Sequence, residues 1–177
     1  MISYADLSAR IKDNNGLVRA LNVLDKAITY ITVLLYLGLL VYGFVSIKTQ
    51  GATLFYRSLL IPGVSFVFVS LFRKVISSPR PYEVYNFTPA LVKDTKGKSF
   101  PSRHIFSIFI VACAFFQVST PIGIVIMIMG IALAVIRVVG GVHFIKDVVA
   151  GALMAIFIGI LCFCILGGVF GLIMLPF

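Results

Sequence analysis

His104 and His143 are the two imidazoles of a 177-residue chain, and Asp147 stands four residues after the second. Residues four apart share a face of a helix, so a carboxylate at 147 can accept the proton-bearing ring nitrogen of His143. That contact fixes the tautomer and leaves the other nitrogen free to attack an electrophile. A carboxylate there also favours the positive end of a helix, and the two roles are compatible. Pro101-Ser102-Arg103-His104 reads as a helix start. Free N–H groups and the helix dipole favour an anion at such a start, and Ser102 either binds it or caps the helix. From Arg73 to Arg103 the basic residues are Arg73, Lys74, Arg80, Lys93, Lys96, Lys98 and Arg103, against Glu83 and Asp94. Guanidinium groups hold phosphate oxygens through paired hydrogen bonds, which makes Arg73, Arg80, Arg103 and Arg137 candidate phosphate contacts. Lys93, Lys96 and Lys98 are ascribed instead to the ordinary charge bias of loops flanking a membrane.

Such residues do chemistry only if the chain brings them together, and the apolar segments between them decide how. The sequence is 60% hydrophobic and 12% charged, against about 25% charged in soluble domains, which argues against a water-soluble fold. Ala27–Ile47, Ile105–Ile136 and Val148–Phe177 hold no charge at all, and roughly 20 helical residues cross the hydrocarbon layer. A first span is expected near Ala27–Ile47 and a second near Ala52–Phe72, with Arg57 reaching back to the interface. Ile105–Ile136 is too long for one span. Ser119-Thr120-Pro121 breaks it, because proline disfavours helix at the residue before it and suits a helix start. The resulting hairpin, about Arg103–Val118 and Pro121–Val139, returns the chain to the face it left. His104 and Gly140-Gly141-Val142-His143 then meet at one membrane face, and a fifth span runs from near Ile145 to about Leu166.

The expected fold class is therefore all-α, a polytopic membrane helix bundle of about five transmembrane helices, forming one domain over residues 1–177. Residues 1–26 mix Asp6, Arg10, Lys12, Asp13, Arg19 and Asp25 with apolar positions, which does not suit a cleaved signal. Their spacing, broken at Asn14-Asn15-Gly16, suggests two short amphipathic helices at the interface, with a partly ordered tail as the other reading. Cys113, Cys162 and Cys164 lie in apolar spans without a metal-binding spacing and read as packing residues. The net charge of +9 sits in short segments between spans, so it points to an anionic lipid partner at the bilayer and not to nucleic acid.

Taken together, Arg73 with six residues before Arg80-Pro81, then Pro101-Ser102-Arg103-His104, then Arg137 with five residues before His143 and three before Asp147, form a recognisable order. It resembles the type 2 phosphatidic acid phosphatase superfamily, which includes bacterial phosphatidylglycerophosphate and undecaprenyl diphosphate phosphatases. The resemblance implies a multi-pass lipid phosphatase of the cell membrane in which His143 forms a phosphohistidine, Asp147 orients it, and His104 protonates the departing oxygen. Arg73 or Lys74, Arg80, Ser102, Arg103 and Arg137 would hold the phosphate, residues 73–102 would form the active-site loop, and the scheme needs no metal or other cofactor. The chain departs from the family in carrying Arg73 where lysine is usual, Arg103 where glycine is usual, and Ile136 in place of a serine. It also has five expected spans where the family commonly has six. The alternative from another class is a small transporter or a non-catalytic protein that binds anionic lipid. On orientation two arguments oppose each other: the lysine and arginine count places the motif loop in the cytoplasm, whereas many bacterial relatives work on the outer face.

Overall fold

The structure, a computed structural model, describes residues 4–92 and 96–165. Lys93, Asp94, Gly167-Gly168 and the apolar tail fall outside the described residues, as does the side chain of Cys164. Among the described residues the chain is helical with no strand. The helices are α1 (Tyr4–Lys12), α2 (Asn15–Val45), α3 (Ile47–Gln50), α4 (Thr53–Ile76), α5 (Pro81–Val84), α6 (Arg103–Phe115), α7 (Thr120–Val139) and α8 (Ile145–Gly159). A π-helical turn, Ile160–Ile165, continues α8.

Four of these are long and apolar enough to cross a membrane: α2, α4, α7, and α8 with its π-helical extension. Each shows bulky apolar side chains outward, such as Leu34 (67% exposed), Val64 (65%), Ile128 (60%) and Leu153 (61%), as expected where lipid is the solvent. The third expected span, about Arg103–Val118, is α6, which has only 13 residues and is about 20 Å long. It forms the centre of the bundle. Ten consecutive or near-consecutive positions from Ile105 to Phe115 are buried, against α2, α4, α7 and α8. The chain is thus a polytopic helical bundle with one short core helix.

The α6–α7 hairpin breaks where proline chemistry requires, between Phe115 and Thr120. Close packing of α6 depends on missing side chains. A Cβ on Gly130 would lie 2.6 Å from the Phe109 ring, and one on Gly151 would lie 2.7 Å from the Ser102 carbonyl oxygen. Small residues let membrane helices approach in this way, and Gly151 seats α8 directly against the start of α6.

The N-terminal segment differs from the expectation of two short surface helices. α1 is one, but the second is the beginning of α2, a helix of 31 residues without interruption. Asn14 ends the break by accepting the Leu17 N–H at 3.1 Å, and no later residue stops the helix before Val45. α4 likewise outruns the expected second span, so Arg73 and Lys74 occupy its last turn. Arg57 does not snorkel: its guanidinium donates to the Phe163 carbonyl and stacks 5.7 Å above the Phe163 ring. Cys113 is buried and Cys162 half-buried.

Candidate active site

The turn between α7 and α8 carries His143. Gly141 has φ of +78°, a conformation that suits glycine, and the N–H groups of Val142 and His143 both reach the Arg137 carbonyl, at 3.1 and 3.3 Å. The chain reverses and α8 begins two residues after His143. Asp147 lies in the first turn of α8, where its Oδ2 accepts the Phe144 N–H at 3.0 Å. Histidine and aspartate therefore do not share a helix face, as their spacing suggested. They meet because the carboxylate caps the helix and the histidine folds back over it. His143 Nδ1 is 3.4 Å from Asp147 Oδ2, with side-chain exposures of 1% and 0%. Both readings of Asp147, helix-end carboxylate and histidine partner, hold at once.

A third residue joins them. Ser99, fully buried, donates its hydroxyl to Asp147 Oδ2 at 2.5 Å and lies 3.4 Å from His143 Nδ1. Burial pushes the His143 imidazole down to about 4; the hydrogen bond to Asp147 raises it, the charges of Arg80 and Arg137 lower it further, and the Asp147 charge opposes them. Neutral imidazole is the nucleophilic form, so His143 keeps its lone pair throughout the neutral range. With a value of about 4 when folded and about 6.5 when unfolded, protonation disfavours the fold as pH falls through this window. In a His104→Gln chain, where His143 is the sole histidine, an NMR titration is expected to show no protonation between pH 8 and pH 5. A midpoint near 6.5 would contradict the burial.

The α6 start closes onto this turn. The Ser102 N–H donates to the Asp147 carbonyl at 2.8 Å, and Arg103 and His104 follow in the first turn of α6. The hairpin thus brings the helix end bearing His104 to the same end of the bundle as His143. His104 is half-buried and, with Arg103, Thr29, Thr32, Phe66 and Ser107, lines a cavity of about 210 Å³ between α2, α4 and α6. Ser102 does not cap the helix: its hydroxyl is buried without a hydrogen-bond partner among the described residues.

The basic residues divide in a way that their types could not reveal. Arg73 is buried and donates to the Lys98 carbonyl, while the neighbouring Lys74 is exposed. Arg80 is 3% exposed and donates from Nε to the Gly97 carbonyl at 3.1 Å and from Nη1 to the Val142 carbonyl at 2.9 Å. Each guanidinium has five N–H donors, so both retain donors beyond these backbone contacts. Arg73 lies within the fields of Arg103, Arg80, Asp147 and Arg137. Arg103 is exposed and stacks 5.3 Å from the Phe66 ring. Lys96 and Lys98 are exposed, in keeping with ordinary loop charges.

Two acids complete the arrangement. Glu83 accepts the Arg80 N–H at 2.7 Å and the Gly97 N–H at 2.9 Å, tying both ends of the loop together. Asp25 on α2 pairs with Arg137 at 2.9 Å. Neither acid, nor Ser99, stood out in the sequence. Asp25 and Ser99 have their partners 112 and 48 residues away, and the local signals were the place of Ser99 two residues before Pro101 and of Glu83 three residues after Arg80 at a helix start.

The described residues thus place a buried imidazole–carboxylate pair near the guanidinium groups of Arg80 and Arg137 at one end of a membrane helix bundle. Residues 54–170 match the family model of the PAP2 superfamily, and the chain belongs to that superfamily. It is accordingly an enzyme, a PAP2-type phosphoric ester or diphosphate hydrolase. Two solved structures are similar to this chain. Aquifex aeolicus LpxE is 24% identical, with 84% of this chain and 93% of that chain covered and a TM-score of 0.60. The first transmembrane PAP2-type phosphatidylglycerolphosphate phosphatase from Bacillus subtilis is 22% identical, with 98% and 94% covered and a TM-score of 0.48. No curated protein matches the chain significantly.

Proposed function

We propose that the chain is a metal-independent lipid phosphatase of the cell membrane, acting on a phosphomonoester or diphosphate of a lipid such as phosphatidic acid, phosphatidylglycerophosphate or undecaprenyl diphosphate. The observation that carries this reading is His143, neutral and buried, with Nδ1 turned to Asp147 beside Arg80 and Arg137. A protein that merely bound or moved anionic lipid would need the cations but not the oriented imidazole.

In the proposed reaction the lone pair of His143 Nε2 attacks phosphorus, and the bond from phosphorus to the lipid oxygen breaks. His104 gives that oxygen its proton, while Asp147 steadies the proton on Nδ1 as the ring becomes cationic. A water then loses a proton to His104 and attacks phosphorus; the phosphorus–nitrogen bond breaks and phosphate leaves. Arg73, Arg80, Arg137, the Ser102 hydroxyl and Arg103 hold the non-bridging oxygens, where charge accumulates in the transition state. Lys74, exposed on the outer side of the same helix turn, is left to lipid headgroups.

The test is phosphate release from those three lipids by the purified protein, with and without a metal chelator, together with acid and alkaline quenching. Release is expected to survive chelation, and the trapped phosphoenzyme to be acid-labile and alkali-stable, as a phosphorus–nitrogen bond is. No release from any of the three, or release that the chelator stops, would overturn the proposal.

A further inference from the structure

Among the described residues, Arg137 is the one guanidinium of the site held by a carboxylate. Its Nη2 lies 2.9 Å from both oxygens of Asp25, donating a hydrogen bond to Oδ2, with side-chain exposures of 5% for the arginine and 19% for the acid. The partners are 112 residues apart in the chain. Arg137 Nε is buried and has no hydrogen-bond partner among the described residues, so one donor of the group remains open while another is occupied. The backbone of Arg137 is fixed as well, since its carbonyl receives the N–H groups of Val142 and His143.

A guanidinium buried to this degree without a counter-ion is strongly disfavoured, and a long side chain relieves that cost by turning outward. At the end of α7 water is within reach. A carboxylate on α2 removes the incentive, because it neutralises the charge at one nitrogen and leaves the rest of the group facing the nucleophile's turn. α2 packs against α7, so the contact is built into the bundle.

From this we infer that Asp25 is a positioning residue, which holds the Arg137 guanidinium inward so that its open donor meets a phosphate oxygen. The inference rests on the phosphatase reading in taking Arg137 as a phosphate contact. Asp25 touches no reacting atom. Its own negative charge opposes the phosphate, and the two effects have opposite signs: if Asp25 positions Arg137, its removal weakens phosphate binding, whereas if it only competes for Arg137, removal strengthens it.

The experiment measures inorganic phosphate binding by the full-length protein, as thermal stabilisation and as inhibition of lipid phosphate hydrolysis, in Asp25→Ala, Asp25→Asn and Asp25→Glu, each with Arg137 intact or replaced by alanine. Asp25→Ala is expected to weaken phosphate binding about tenfold, one broken charge-assisted contact, with kcat/KM falling in proportion. Asp25→Glu should recover most of the loss. Asp25→Asn, nearly isosteric and therefore the safer variant for folding, should fall between. In the Arg137→Ala background the same changes should have no further effect on phosphate binding. Unchanged or tighter phosphate binding in both Asp25→Ala and Asp25→Asn would overturn the inference, as would equal losses with and without Arg137. Either of those results alongside a hydrolytically active wild type leaves the phosphatase reading standing. Coupled phosphate binding in a chain that hydrolyses none of the three lipids overturns that reading alone.

Discussion

A His143→Ala chain is expected to release phosphate at the uncatalysed background, a loss of about 10⁴-fold or more, in line with removal of the nucleophile from other covalent hydrolases. Alanine offers no lone pair to phosphorus. Water cannot easily substitute, since the position is 1% exposed and the adjacent carboxylate is already engaged by Ser99 and the Phe144 N–H. The remaining guanidiniums would still bind phosphate, so affinity for the inorganic ion should persist while turnover disappears. Deleting a buried ring also leaves a cavity, at a cost of about 2–4 kcal/mol. Thermal unfolding of the same preparation separates that loss from the chemical one, and His143→Gln fills most of the space. Hydrolysis at the wild-type rate in either folded variant would remove His143 from the mechanism.

Asp147→Asn is expected to lower kcat by about 10²- to 10⁴-fold, with phosphate affinity changed only a few-fold. Asp147 Oδ2 gathers two donors, from Phe144 and Ser99, and faces His143 Nδ1. An asparagine can keep the helix cap by giving its oxygen to Phe144. It then has no charge with which to stabilise the imidazolium that forms on attack, and in the flipped orientation, which gives up the cap, its N–H₂ faces Nδ1 and favours the tautomer with Nδ1 as acceptor. That tautomer carries its proton on Nε2, the nitrogen that must attack. Separate measurement of kcat and phosphate affinity checks the role: unchanged kcat would leave Asp147 a helix cap alone.

The hairpin at Ser119-Thr120-Pro121 and the convergence of the two histidine-bearing segments were legible because each rests on a local rule, proline at a helix start and the length of helix a membrane admits. The inward choice of Arg73 over Lys74 was not, since neighbouring cations differ only in the direction of their side chains. Asp25, Ser99 and Glu83 escaped for a different reason. A carboxylate or hydroxyl acquires meaning from its partner, and Asp25 meets Arg137 across 112 residues and Ser99 meets Asp147 across 48. The extent of α2 was also hidden. Arg19, Asp25 and Lys26 look like the boundary of a membrane segment, yet helical hydrogen bonding continues through a boundary of polarity without interruption. The His143–Asp147 pair was found through a helix-face argument, although a cap and a chain reversal create the contact.

One mechanical property follows from the unbroken course of Asn15–Val45. The helix has 31 residues and no proline, about 46 Å of rod, longer than the roughly 30 Å hydrocarbon layer it crosses. About a third of the way along sits Asp25, and near the far end Gly43 lies close against the Phe55 backbone. A rod of this length accommodates a thinner or thicker bilayer chiefly by changing its tilt, and without a hinge the tilt reaches both ends. The lipids around the enzyme thereby act on the same strut that fastens Arg137, so membrane thickness belongs among the variables that set the position of that guanidinium.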